Sequence, residues 1–192
     1  MALPVTKTAW TVEQFMAWEN EQAERHEFVG GEVFAMTGAR DGHNTIALNI
    51  ASSLRNHLRG TPCRAYIADM KLHVTRESAV FYPDVMVTCH PRDLGPEASL
   101  EKQQPKLLVE VLSDSTAAYD RGEKFRAYRS IEALEEYVLV DQNKHYAEIF
   151  RKDGSGHWVL YPTEAGESLR LESVGLTLTM AEVYEDVSFT NQ

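Results

Sequence analysis

Apolar positions along the chain change period several times, and each change marks an element. Ile46, Ile50, Leu54 and Leu58 recur every four residues, with Ala47 and Ala51 beside them. That stripe predicts an amphipathic helix over 45–59, closed by Gly60 at its C′ position. Thr11 and Gln14 have capping-box spacing and predict a first helix running to about Ala23, with Phe15, Met16 and Trp18 toward the inside. Between these helices, Phe28, Val33 and Phe34 flank Gly30-Gly31, the signature of a two-residue hairpin turn. Residues 63–69, 70–76 and 80–87 have strand character. Pro83 falls inside the last run, removes a ladder donor and predicts a distorted or edge strand. Residues 90–105 are polar, carry Pro91, Pro96 and Pro105, and predict a long, mobile surface loop close to substrate.

The second half is more regular. Residues 106–112 (KLLVEVL) form a nearly continuous apolar run and predict a central strand buried on both faces. Ser113 to Thr116 offers several N-caps for a helix from about Ala117 to Arg129, with Phe125 and Tyr128 in the core. Residues 136–141 (EYVLVD) predict the next strand, and two alternating runs around Asp153-Gly154 predict a second hairpin. Short strands and a last helical turn follow. With no repeat and no linker, 1–192 reads as a single domain. The order of elements predicts an α/β (α+β) mixed central sheet with helices on both faces, plus N-terminal and C-terminal β-hairpins.

Two positions break the apolar pattern. Asp84 and Glu110 each stand inside a β-branched run. Burying an unpaired carboxylate costs several kcal/mol or forces protonation. Adjacent strands lie ~4.8 Å apart, so two such acids on neighbouring strands can share one divalent cation. Mg²⁺, with Mn²⁺ as the alternative, takes oxygen ligands and keeps several waters, so two carboxylates suffice. Lys124 lies four residues after Asp120 on the following helix; the two read as a surface pair or as members of the same site, with Asp120 a second-rank candidate and Lys124 placed to orient or deprotonate water and stabilise charge on phosphate. Glu27 and Glu32, on the two hairpin arms, read as solvent-facing acids or as further acids bordering the site. His43 reads as a capping or packing residue. Arg55 and Arg59 face outward and read as solvated helix charges, with phosphate contact as the alternative.

Composition narrows the class. The chain is 43% hydrophobic and 25% charged, ordinary for a globular protein, with no apolar run near the ~18 residues of a membrane span. The opening residues lack a signal-peptide pattern, and Cys63 and Cys89 read as two small buried or half-buried side chains in a reducing compartment, which predicts a cytoplasmic protein. The net charge of −10 argues against a protein that coats nucleic acid, though not against an enzyme whose acids cluster at a metal.

Pro83-Asp84, VEVLSDST at 109–116, DRGEKFRAYR at 120–129 and EYVLVDQ at 136–142, in this order, closely resemble the Uma-two restriction endonuclease family of the PD-(D/E)XK nuclease-like superfamily. The hairpin VGGEVFAMTGA and the helix behind it are similar too, so the resemblance spans roughly Glu21 to Arg151. It implies a restriction-endonuclease-like core, Asp84 and Glu110 as metal acids, the Val111 carbonyl as a third ligand, DNA as substrate and a homodimer. One departure stands out. The superfamily lysine falls two residues after the second acid, where this chain has Leu112. Lys124 is the substitute, with Lys71 on a neighbouring strand as a second candidate. The acid common on the superfamily's first core helix is also absent, leaving that role to Glu32 or Glu27.

The leading expectation is therefore a metal-dependent endodeoxyribonuclease with Asp84, Glu110 and Lys124 as its catalytic set. The alternative is a nuclease-like fold without turnover that serves as a nucleic-acid or protein binding module, which Leu112 and the acidic charge favour. A glycosidase using the two acids would work without metal. No G-x-S-x-G elbow or G-x-G-x-x-G turn supports a serine hydrolase or a dinucleotide site.

Overall fold

The computed structural model describes residues 10–36, 38–98 and 100–189. Most of the opening segment read for a leader, together with Thr37 and Ser99 of the predicted hairpin and loop, lies outside them. The elements run α1 (Val12–Glu19), β1 (His26–Val29), β2 (Glu32–Ala35), α2 (Asp41–His57), β3 (Arg64–Ile67), β4 (Lys71–Val74), β5 (Ala79–Phe81) and β6 (Val85–Thr88). Then come α3 (Pro91–Leu94), β7 (Glu101–Lys102), β8 (Pro105–Leu112), α4 (Ala117–Tyr119), a π-helical turn (Asp120–Lys124) and α5 (Phe125–Tyr128). The chain ends with β9 (Glu136–Asp141), β10 (Tyr146–Lys152), β11 (Trp158–Glu164), β12 (Ser168–Leu171), β13 (Leu176–Thr179) and α6 (Met180–Val183).

The class is mixed α/β, as the pattern predicts, but the strands divide between sheets. A six-stranded sheet has the order β11-β10-β9-β8-β6-β3, with β8 parallel to β9 and antiparallel to β6. A five-stranded sheet has the order β2-β1-β5-β4-β7, and β12 pairs with β13 separately. Pro83 explains the division. The run 80–87 is not one distorted strand: β5 belongs to the five-stranded sheet and β6 to the six-stranded one, and the chain crosses between them over Tyr82-Pro83-Asp84.

β8 is the buried central strand the apolar run predicts. Leu107, Val109 and Val111 pack with Ile46, Ile50 and Leu54 of α2 and with α6 on one face. Leu108 and Leu112 pack on the other with Phe125 and Tyr128 of α5 and with Leu72 and Phe81 of the five-stranded sheet. Both hairpin expectations match. Gly30 and Gly31 turn β1 into β2 with φ of 58° and 92°, values a side chain resists at consecutive positions.

Three readings need correction. The first helix stops at Glu19 instead of Ala23, because Glu19 turns inward and its carboxylate accepts from the His26 amide at 3.0 Å and the Tyr82 hydroxyl at 2.7 Å. The segment 90–105 is not an open loop. Asp93 is buried there and its carboxylate accepts from the Thr88 hydroxyl and the amides of Gln103 and Gln104, each at 2.9 Å. The cysteines are not separate side chains: Arg64 pairs with Thr88, so Cys63 and Cys89 face each other across β3 and β6 and are disulfide-bonded.

If Asp93 organises the segment, Asp93→Ala leaves two half-buried amides without their acceptor, at about 1–3 kcal/mol each if not rehydrated, while the Thr88 hydroxyl keeps the Gln104 carbonyl at 2.9 Å. The expected loss is about 3 kcal/mol in urea unfolding, together with faster amide exchange at Gln103 and Gln104. Unchanged exchange at both amides would show that other contacts hold the segment.

Candidate active site

The site forms where the two sheets meet. Glu110 shares its strand face with Leu108 and Leu112, so it points into the core beneath α5 rather than toward α2. Asp84 ends the crossover just before β6. Val85 pairs with Val109, which brings Asp84 beside Glu110. The Val111 amide donates to Asp84 Oδ2 at 2.8 Å, and the Asp84 amide makes a long contact of 3.4 Å with Glu110 Oε2.

Lys124 enters from the helical segment. Its ammonium lies 2.9 Å from Glu110 Oε1, 3.1 Å from Glu27 Oε1 and 3.7 Å from Asp120 Oδ1. A lysine has three donor hydrogens, matching the three carboxylates around it. The Phe81 ring, 5.7 Å away, forms part of the wall. The residues from Asp120 to Lys124 form a π turn, a distortion found mostly as single turns and often at functional sites. Both side chains that this turn presents to the site are buried.

Two contributors went unread in the sequence. Tyr128, expected only as core, is core and also donates its hydroxyl to Glu110 Oε1 at 2.8 Å. His43, expected as a cap or packing residue, places Nε2 3.3 Å from Asp84 Oδ2. Its place one turn into α2 holds no signal of that contact, because nothing local tells which strand end the helix start will meet. Of the second-rank candidates, Glu27 and Asp120 join the cluster. Glu32 is exposed on β2 opposite Val29. Lys71 bonds Asn20 Oδ1 at 2.8 Å near Glu19, away from these carboxylates.

Burial dominates the electrostatics. It pushes Glu110 up to about 8; Lys124 pulls in the opposite direction, while Asp84, Asp120 and Glu27 add to the rise. Burial likewise raises Asp120 against the pull of Lys124. For Lys124, burial opposes the charge, yet Glu110 and Glu27 outweigh it and hold the ammonium well above the usual lysine range. In this state Lys124 is a donor and a fixed charge, not a proton acceptor. Burial would lower His43, but the hydrogen bond and charge of Asp84 and a bond to the Val111 backbone raise it overall.

A divalent cation fits part of this arrangement. Asp84 Oδ1 has no hydrogen-bond partner among the described residues, and Glu110 Oε2 has only the long contact to the Asp84 amide. Two neighbouring carboxylates thus each offer an oxygen, a donor set suited to Mg²⁺ that retains water. Among the described residues, no three His, Cys, Asp or Glu side chains form a complete metal cage. Backbone or water oxygens would have to complete the shell, and His43 already engages the Val111 backbone expected to supply one of them.

Mixed sheets flanked by helices, with two strand carboxylates and a lysine at their junction, define a nuclease-like fold. Residues 12–181 match the Uma2 family model, described as "Putative restriction endonuclease", and the chain belongs to that family. An uncharacterized Synechocystis protein is 35% identical over 92% of both chains, and a second is 32% identical over 90% of this chain and 97% of its own. The crystal structure of a putative nuclease of the DUF820 group from Anabaena variabilis superposes with a TM-score of 0.76 at 14% identity, covering 91% of this chain and 97% of that one. At that identity the likeness concerns the fold.

The raised Glu110 predicts a specific pH dependence. Between the unfolded value of 4.5 and about 8, the folded chain holds a proton the unfolded chain has lost. This contribution to stability therefore falls as pH rises through that window and levels off above it. Denaturant unfolding in EDTA should show that Glu110→Gln flattens the decline between pH 5 and 8. A parallel decline in both proteins would place the proton elsewhere.

Proposed function

We propose that the protein is a metal-dependent endonuclease that hydrolyses DNA phosphodiester bonds, working as a homodimer so that two sites address two strands. The observation that carries this reading is the 2.9 Å approach of Lys124 to Glu110, beside Asp84. The lysine absent from the strand at Leu112 is supplied to the same carboxylate by the helix. Asp84 and Glu110 are the residues that would hold Mg²⁺ or Mn²⁺. Such an ion, when bound, supplies Lewis-acid stabilisation and an acidified water. Tyr128 fixes one Glu110 oxygen, and His43 fixes Asp84 through Oδ2. Lys124 places positive charge where negative charge grows on phosphate, a contribution that depends on a dry, preorganised site.

A second reading draws support from the same contacts. With carboxylates on all sides, Lys124 is committed within the chain, and a fold of this kind that never releases it would bind nucleic acid or protein without turnover. Nicking of supercoiled plasmid with Mg²⁺, Mn²⁺ or EDTA separates the two. Under the enzyme reading, nicking needs metal and falls at least 100-fold in Asp84→Asn, Glu110→Gln and Lys124→Met. Metal-independent nicking, or equal nicking by wild type and variants, would count against it.

Metal binding has its own readout. Near 100 times Kd, Mg²⁺ should stabilise the fold by about 2.7 kcal/mol and raise Tm by about 5–10 °C, with no rise in Asp84→Asn. A Tm indifferent to Mg²⁺ and Mn²⁺ in the wild type would remove the metal from the proposal.

A further inference from the structure

Acidic side chains are spread through the chain with one exception. From Gly42 to Ala68 there is neither Asp nor Glu, in a protein with 29 acids and 19 bases, while Arg55, Arg59 and Arg64 all fall in this stretch. These residues form α2 after its first residue, Asp41, and all of β3. Both elements touch Asp84: His43 lies at the start of α2, and the Ala68 amide just past β3 donates to the Asp84 carbonyl at 3.2 Å. α2 therefore leads away from the site and β3 returns to it.

The outward stripe of α2 runs through Asn44, Leu48, Ser52 and Arg55, with Arg59 just past the helix end, and all of these are exposed. Arg55 and Arg59 have no ion pair among the described residues, whereas Arg25, Arg121, Arg126 and Arg151 are each held by a carboxylate. Between this stripe and β3 lies a groove of ≈ 410 Å³ with Leu48, Tyr66, Ile67, Met70 and Arg55 among its lining residues; one acid, Asp69 just past β3, also lines it and is paired with Arg25 at 3.3 Å. Leu48 is 57% and Ile67 53% exposed, values that mark an apolar floor open to solvent.

We infer that the α2–β3 face is the docking track for the nucleic-acid strand flanking the scissile phosphate, with Arg55 and Arg59 on its phosphates and the apolar groove beneath its sugars and bases. This rests on the nuclease reading and adds the path of the substrate. Charge complementarity is the argument. The outward stripe of α2 carries uncommitted arginines and no acid, the one acid lining the groove is paired with Arg25, and this surface is continuous with the candidate site, so it repels a polyanion less than the acidic chain does on average. From His43 to Arg55 the helix rises about 18 Å, roughly five nucleotide steps at ~3.4 Å each.

The test is fluorescence anisotropy of labelled single-stranded and duplex oligonucleotides with the full chain, using Ca²⁺ in place of Mg²⁺, over a salt series. Arg55→Glu/Arg59→Glu should weaken binding at least tenfold and reduce the salt slope by about 1.5–2, whereas Arg55→Lys/Arg59→Lys keeps the slope. The charge-matched control Arg76→Glu/Arg92→Glu, on exposed arginines elsewhere, should change affinity less than threefold. If the α2 reversal binds as wild type does, or no worse than the control, the track is wrong; persistent metal-dependent nicking by wild type would then leave the nuclease reading standing. If wild type neither binds nor nicks, both fall. Light scattering on the same proteins covers the competing occupant. A reversal that splits a dimer and leaves oligonucleotide affinity unchanged would make this face a contact between copies of the chain and overturn the inference.

Discussion

A buried ammonium shared by three carboxylates is the interaction on which the arrangement of this protein depends. Glu27 comes from β1 of the five-stranded sheet, Glu110 from β8 of the six-stranded sheet, and Asp120 from the π turn that also carries Lys124. Each of these charges is costly to remove from water, and each is tolerable only with its partners in place. One side chain therefore ties both sheets and the helical segment together at the point where Asp84 crosses between the sheets. The two roles are hard to separate, since the contacts that compensate the buried charges also set the candidate catalytic geometry.

The π turn is the backbone counterpart of that constraint. In a regular α-helix, side chains at i and i+4 share a face. Here the chain widens between Asp120 and Lys124, and both side chains point into the same buried pocket. The turn is anchored further by Tyr137, whose hydroxyl donates to the Asp120 carbonyl at 3.1 Å. Such a distortion costs hydrogen-bond geometry and persists where surrounding contacts over-determine it. Here the ion cluster and the aromatic packing of Phe125 and Tyr128 supply them.

The charge distribution has a similar logic. A total of −10 opposes nucleic acid when taken as an average. The average hides two local departures: carboxylates concentrated around one lysine at the sheet junction, and the stretch from Gly42 to Ala68, free of Asp and Glu, leading from it. The interaction of a polyanion with such a surface is decided within about a Debye length, ~8–10 Å, so local composition outweighs the total.

By itself the sequence determined the local elements and the anomaly. The four-residue stripe of α2, the Gly30-Gly31 turn and the apolar run of β8 were legible because period and turn chemistry are local properties. Asp84 and Glu110 were legible because an acid within a β-branched run has no local explanation. Tertiary structure alone decided what those acids meet. Pro83 signals a break in pairing but not that the break separates two sheets. A helix stripe shows which face of α2 is buried but not that His43 will reach Asp84. Position in the chain ranks Lys124 above Lys71 but does not show that the first enters the cluster while the second is held near Glu19. Those contacts join residues far apart in sequence, and they exist only once crossovers and sheet order have brought separate strand ends to one point.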